Sequence, residues 1–160
     1  MSDNAMDVYL NDHLAGAMLG SDLAEQIRDQ AEGTALQEVM RSLAVEIEAD
    51  RQTLSALMDR MGISRNPVKQ ATTWLAEKGG RIKFGGVTSG EPDVGTFMAI
   101  ETLALGVEGK ASLWRALQRV ADRYPPLQAT DLDALLARAE DQRAQLELER
   151  IAAAARALGA

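Results

Sequence analysis

GISRNPVKQATTWLAEKGGRIKFGGVTSGE, residues 62–91, lies between two long stretches of helical periodicity and decides how they are joined. Asn66-Pro67 opens a short helix, Asn as the cap and Pro in the first turn, which runs through Trp74 and Leu75 to Lys78. Gly79-Gly80 ends it, and the rest has no helical pattern. Arg81–Phe84 reads as a brief extended piece between glycine pairs. Thirty residues with a helix of their own can run the whole length of a helical stack. Neighbouring antiparallel helices need a link of only a few residues. The stretch therefore predicts one long crossover between two helical hairpins, in place of simple up-down alternation.

Outward from this connector, each flank reads as a hairpin. In the N-terminal one, over 6–61, Tyr9, Leu10, His13, Leu14, Ala17, Leu23, Ala24 and Ile27 recur at helical spacing up to about Ala31. Gly33 ends that helix, and Thr34-Ala35-Leu36-Gln37 opens the next as a capping box. Its stripe is Leu36, Met40, Leu43, Ile47, Leu54, Leu57 and Met61, with Gly62 as the stop. In the C-terminal hairpin, over 92–158, Pro92 opens a helix carrying Phe97, Ile100, Ala104, Val107, Ala111, Trp114 and Leu117. Tyr124-Pro125-Pro126 breaks it, and a cap at Thr130–Asp133 starts the last helix. That helix shows Leu132, Leu135, Leu136, Ala139, Leu146 and Ile151. Long helices of this kind span about 40 Å at 1.5 Å per residue. The expectation is all-α: a four-helix bundle forming one domain over 1–160.

Composition narrows the chemistry. With no cysteine, thiolate metal sites, disulfides and thiol catalysis are excluded. One histidine excludes any site needing two imidazoles from one chain. A net charge of −7 disfavours binding to nucleic acid or anionic membranes. No apolar run approaches the roughly 18–20 residues of a membrane span. The acidic start, Met1-Ser2-Asp3-Asn4-Ala5, does not resemble a secretory signal, so the expected setting is the bacterial cytoplasm.

In such a bundle the informative residues are polar ones at core spacing. His13 shares a stripe with Tyr9, Gly16 and Gly20, and Asp50 interrupts the second stripe with Glu46 one turn before it. Glu101 and Glu108 flank the third stripe, and Arg143 lies between Ala139 and Leu146. Folding each hairpin about its turn puts His13 within a turn of Asp50, and Glu108 next to Arg143. The plain reading is two buried polar pairs, His13 with Asp50 and Glu108 with Arg143, which fix helix register. A sharper one is a metal centre built from Glu46, Asp50, Glu101, Glu108 and His13.

Residues 9–27 (YLNDHLAGAMLGSDLAEQI), 43–63 (LAVEIEADRQTLSALMDRMGI), 100–117 (IETLALGVEGKASLWRAL) and 138–155 (RAEDQRAQLELERIAAAA) resemble the ferritin-like superfamily, and in particular its stand-alone bacterial bundles. The resemblance implies a ferritin-like four-helix bundle with a crossover containing a short helix, and points to Fe or Mn as the metals to consider. The family's Glu-x-x-His motif is absent: Ala49 stands at the histidine offset after Glu46, and Ala111 after Glu108. No cofactor is therefore expected by default, and an enzyme is the less favoured reading. Residues 62–91 carry five basic and two acidic side chains, +3, leaving −10 elsewhere. Arg81 and Lys83 among glycines are a candidate anion site. No G-x-S-x-G elbow occurs. The leading expectation is a non-enzymatic bundle acting by protein association, with the smooth Ala152–Ala155 tail in a homodimer contact. A carboxylate-rich metal-binding or oxidoreductase bundle is the second. A carrier of an apolar small molecule, with Trp74 and Trp114 lining the pocket, is the third.

Overall fold

A computed structural model of the chain describes residues 2–66 and 91–159. Every regular element among them is helical, as the periodicity predicts: α1 (Ser2–Gln30), α2 (Ala35–Arg60), α3 (Pro92–Val120), the single turn α4 (Pro125–Gln128) and α5 (Leu132–Leu158), with a 3₁₀ turn at Ala121–Arg123. The short helix from Pro67 to Lys78, the extended piece at Arg81–Phe84 and the anion site at Arg81 and Lys83 lie outside the described residues.

Local chemistry sets the boundaries. Gly33 and Gly62 follow α1 and α2 with φ of +78° and +71°, a conformation that a side chain makes costly. Asp131 accepts the Ala134 backbone N–H at 2.9 Å and so caps α5. The capping box expected at Thr34 does not form. Thr34 Oγ1 turns back to donate to the Ala31 carbonyl, while Gln37 Oε1 accepts from Gly33 N–H, one residue upstream of the expected amide. With Gly33 in the left-handed region, the amide within reach of Gln37 is that of the glycine.

The long helices pack with α1 beside α2 and α3, and α5 beside α3 and α2. Contacts along each seam give the directions. Arg60 meets Thr130 while Glu46 meets Gln142, so α2 and α5 are antiparallel. Gln118 meets Asp133 while Glu101 meets Arg150, so α3 and α5 are antiparallel too. One apolar cluster joins Leu10 and Leu14 of α1 to Leu54–Met58 of α2 and Trp114 and Leu117 of α3. A second joins Leu23 and Ile27 to Met40–Ile47 and to Ile100–Val107. Hence α1 and α5 run one way, α2 and α3 the other, and Arg60 and Pro92 sit at opposite ends of the stack. The connection between them starts against α1. Buried Asn11 donates to the Ser64 carbonyl at 3.0 Å and accepts from Asn66 N–H at 2.7 Å.

Candidate functional site: a charged layer and an apolar cavity

Between the two apolar clusters lies a polar layer. Asp50 follows Ile47 by three residues and precedes Leu54 by four, so helix geometry holds it on the buried stripe, where it is 2% exposed. Lys110 enters the same level from α3, and Arg138 and Gln142 from α5. Lys110 Nζ donates to Asp50 Oδ2 at 2.6 Å and also to Gln142 Oε1. Arg138 donates to Asp50 Oδ1. The Gln142 amide donates at 3.1 Å to both Asp50 Oδ2 and Glu46 Oε2. Two carboxylates thus face two cations, and an amide fixes their geometry. Burial pushes the Lys110 ammonium below the ordinary lysine range, opposed by the Asp50 carboxylate beside it. Nearer the surface, Glu48 ties α2 to α1 by accepting from Ser21 Oγ at 2.7 Å. The Arg51 guanidinium, with help from Ser21 and Gln52, holds the Glu48 carboxyl down at about 2.

At the level of this layer α1 offers the interior mostly small residues. Between Leu14 and Leu23, the last and first α1 residues of the two clusters, it lines the space between helices with Gly16, Ala17, Leu19 and Gly20. Opposite them α3 presents Gly106 and Gly109. The result is a cavity of about 670 Å³ between α1, α2 and α3. A Cβ added to any of these four glycines meets no atom of a neighbouring element within 4 Å. Leu23, Ile47, Leu54, Leu103, Val107, Leu113 and Trp114 supply most of the wall, while Asp50 and Lys110 bring the charged layer to one side. Leu105 also lines it and is 70% exposed. Pockets that hold small molecules run from about 300 to 1,000 Å³ and are lined mainly by apolar groups with a few polar ones.

The residues singled out from sequence are distributed as follows. Asp50 is buried as expected, and its carboxylate is taken by Lys110, Arg138 and Gln142, none of which the sequence reading named as its partner. His13 lines the cavity together with Asp50, its ring set edge-on to Tyr9 with centroids 4.6 Å apart. Glu108 does pair with Arg143, but the pair is half-exposed and not buried. Both residues lie about 60° or more off the core stripe, on the solvent side of the α3–α5 seam. There Arg115 joins Glu108 and Glu140, and Arg150 joins Glu101. Ile151, placed on the apolar stripe of the last helix, is exposed, and Ala153 is buried in its stead. Of the five candidate metal ligands, Glu46 and Asp50 share a partner, the Gln142 amide. Glu101 and Glu108 are turned to arginines, and among the described residues no three such ligands converge. The donor set of a ferritin-like di-metal centre is not assembled by these side chains. No described helix is long and apolar enough to cross a membrane.

Comparison with known proteins finds no matching family model, no matching curated protein and no matching solved structure.

Proposed function

We propose that the protein is a ferritin-like four-helix bundle, with residues 62–91 as its crossover, that binds a small molecule with an apolar body in the cavity between α1 and α3. The cavity carries this reading: four glycines on facing helices leave open a space that four ordinary side chains would fill. The chemistry around it suits binding more than catalysis, because the buried charges are engaged with one another. For the same reason the metal-binding alternative is weaker. The cytoplasm is kept as the proposed setting.

The test uses N-phenyl-1-naphthylamine, an uncharged apolar dye whose fluorescence rises on leaving water. Wild-type protein is expected to bind it with 1:1 saturation. Gly109→Leu places a side chain in the cavity and should weaken binding at least tenfold. Helix content by circular dichroism should be unchanged, since leucine is the better helix former. Equal binding by the variant, or none by the wild type, would count against the reading.

A second reading, association as a homodimer, is favoured by the outer face of α5. Leu148 is 73% exposed and Ile151 55%, flanked by exposed Ala144, Ala152 and Ala155. Solvent-facing helix surfaces are ordinarily polar. Sedimentation equilibrium decides it: a species of twice 17.2 kDa is expected, and a monomer at every concentration removes this reading.

A further inference from the structure

Two hydrogen-bond donors of α3 have capacity left over at the cavity. Trp114 is 1% exposed and lines the space, and its indole Nε1–H has no hydrogen-bond partner among the described residues. A buried donor without an acceptor is uncommon and needs an explanation. One turn before it, Lys110 has three ammonium hydrogens and two acceptors, Asp50 Oδ2 and Gln142 Oε1. Residues four apart on a helix are neighbours, with Cβ atoms about 5–6 Å apart. Both line the cavity one turn apart, which offers a ligand oxygen two donors from one helix.

Resting on the binding reading above, we propose that the ligand is an uncharged molecule whose apolar body fills the cavity and whose carbonyl oxygen accepts from Trp114 Nε1–H and Lys110 Nζ. The charge balance selects an uncharged head. Glu46 and Asp50 are matched by Lys110 and Arg138, and Asp12 and Glu101 also line the space, so a carboxylate would enter as an uncompensated ion among like charges. A plain hydrocarbon would leave the indole N–H dry. A hydroxyl would bring a hydrogen of its own, while the carboxylate beside Lys110, that of Asp50, already accepts from Lys110, Arg138 and Gln142.

The experiment competes three molecules of similar size against bound N-phenyl-1-naphthylamine on the full chain: cyclohexyl phenyl ketone, benzylcyclohexane and 4-cyclohexylbenzoate. The ketone is expected to bind about tenfold more tightly than either of the others. It should also shift one indole N–H resonance downfield, while benzylcyclohexane leaves that resonance in place. In Trp114→Phe that resonance disappears. The ketone should then lose about two- to tenfold in affinity, the weight of one neutral hydrogen bond, with benzylcyclohexane unchanged. The wild-type series decides the matter even if the variant folds poorly. Equal binding of ketone and hydrocarbon overturns the carbonyl assignment and leaves the cavity as a binding site. Tightest binding by the carboxylate overturns the uncharged head. Failure of the dye and of all three competitors removes the binding reading together with this one.

Discussion

Asp50→Ala is expected to lower the free energy of unfolding by about 3–5 kcal/mol, the range seen when one member of a buried ion pair is removed. Lys110 and Arg138 would then face each other across the layer with no carboxylate between them, and the Gln142 amide would lose one of its two acceptors. In a chain of this size that corresponds to a fall in melting temperature of about 6–20 °C. Urea titration of wild type and variant at neutral pH measures it. The effect belongs to the stranded cations and not to the loss of a favourable bond, and a second measurement separates these. The quadruple variant Glu46→Gln, Asp50→Leu, Lys110→Met, Arg138→Leu removes both carboxylates and both cations, and should be less destabilised than Asp50→Ala alone. A loss under about 1 kcal/mol for Asp50→Ala, or a quadruple variant worse than the single, would refute this account of the layer.

Trp114→Ala should cost a similar amount by another route, about 3–5 kcal/mol. The indole is the largest fully buried side chain among the described residues and packs in the cluster containing Leu10, Leu14 and Leu117. One side of it already borders the cavity, so its neighbours cannot close over the vacancy from that direction. The cost of truncation depends on how far a site can collapse, which puts this one toward the upper end. Trp114→Phe keeps most of the packing and should lose much less. Calorimetry on the two variants gives both numbers, and an alanine variant melting within a degree of wild type would show that the indole carries no such load.

Much of the architecture could be read from the residues. Helical spacing placed four long helices close to their observed bounds, because apolar stripes separated by glycine, proline and cap residues leave little freedom. The site was less legible. Asp50 stood out because an aspartate between Ile47 and Leu54 breaks an otherwise apolar stripe. Its partners did not, because long side chains reach inward from positions that sequence assigns to the surface. Lys110 follows Val107 by three residues and precedes Trp114 by four, the same spacing that exposed Asp50, but a lysine at such a position is as easily solvated. On α5 a shift of one residue, 100° of rotation, separates Arg143 on the outside from fully buried Gln142. Tertiary packing decides between them. The cavity left a faint trace, since Gly16 and Gly20 lie on the stripe of Tyr9 and His13, but nothing local says that the glycines of α3 stand opposite.

Those four glycines also bear on how the protein would respond to selection for heat tolerance. Each occupies a helix interior, where glycine is less favourable than alanine by about 1 kcal/mol, and none has a neighbour that an added methyl group would strike. The easiest gains in robustness therefore lie at the lining of the cavity itself. A lineage pressed only to survive higher temperature would drift toward alanine at 16, 20, 106 and 109 and narrow the space as it went. Retention of glycine at these sites under such pressure would mark the opening as something the organism uses.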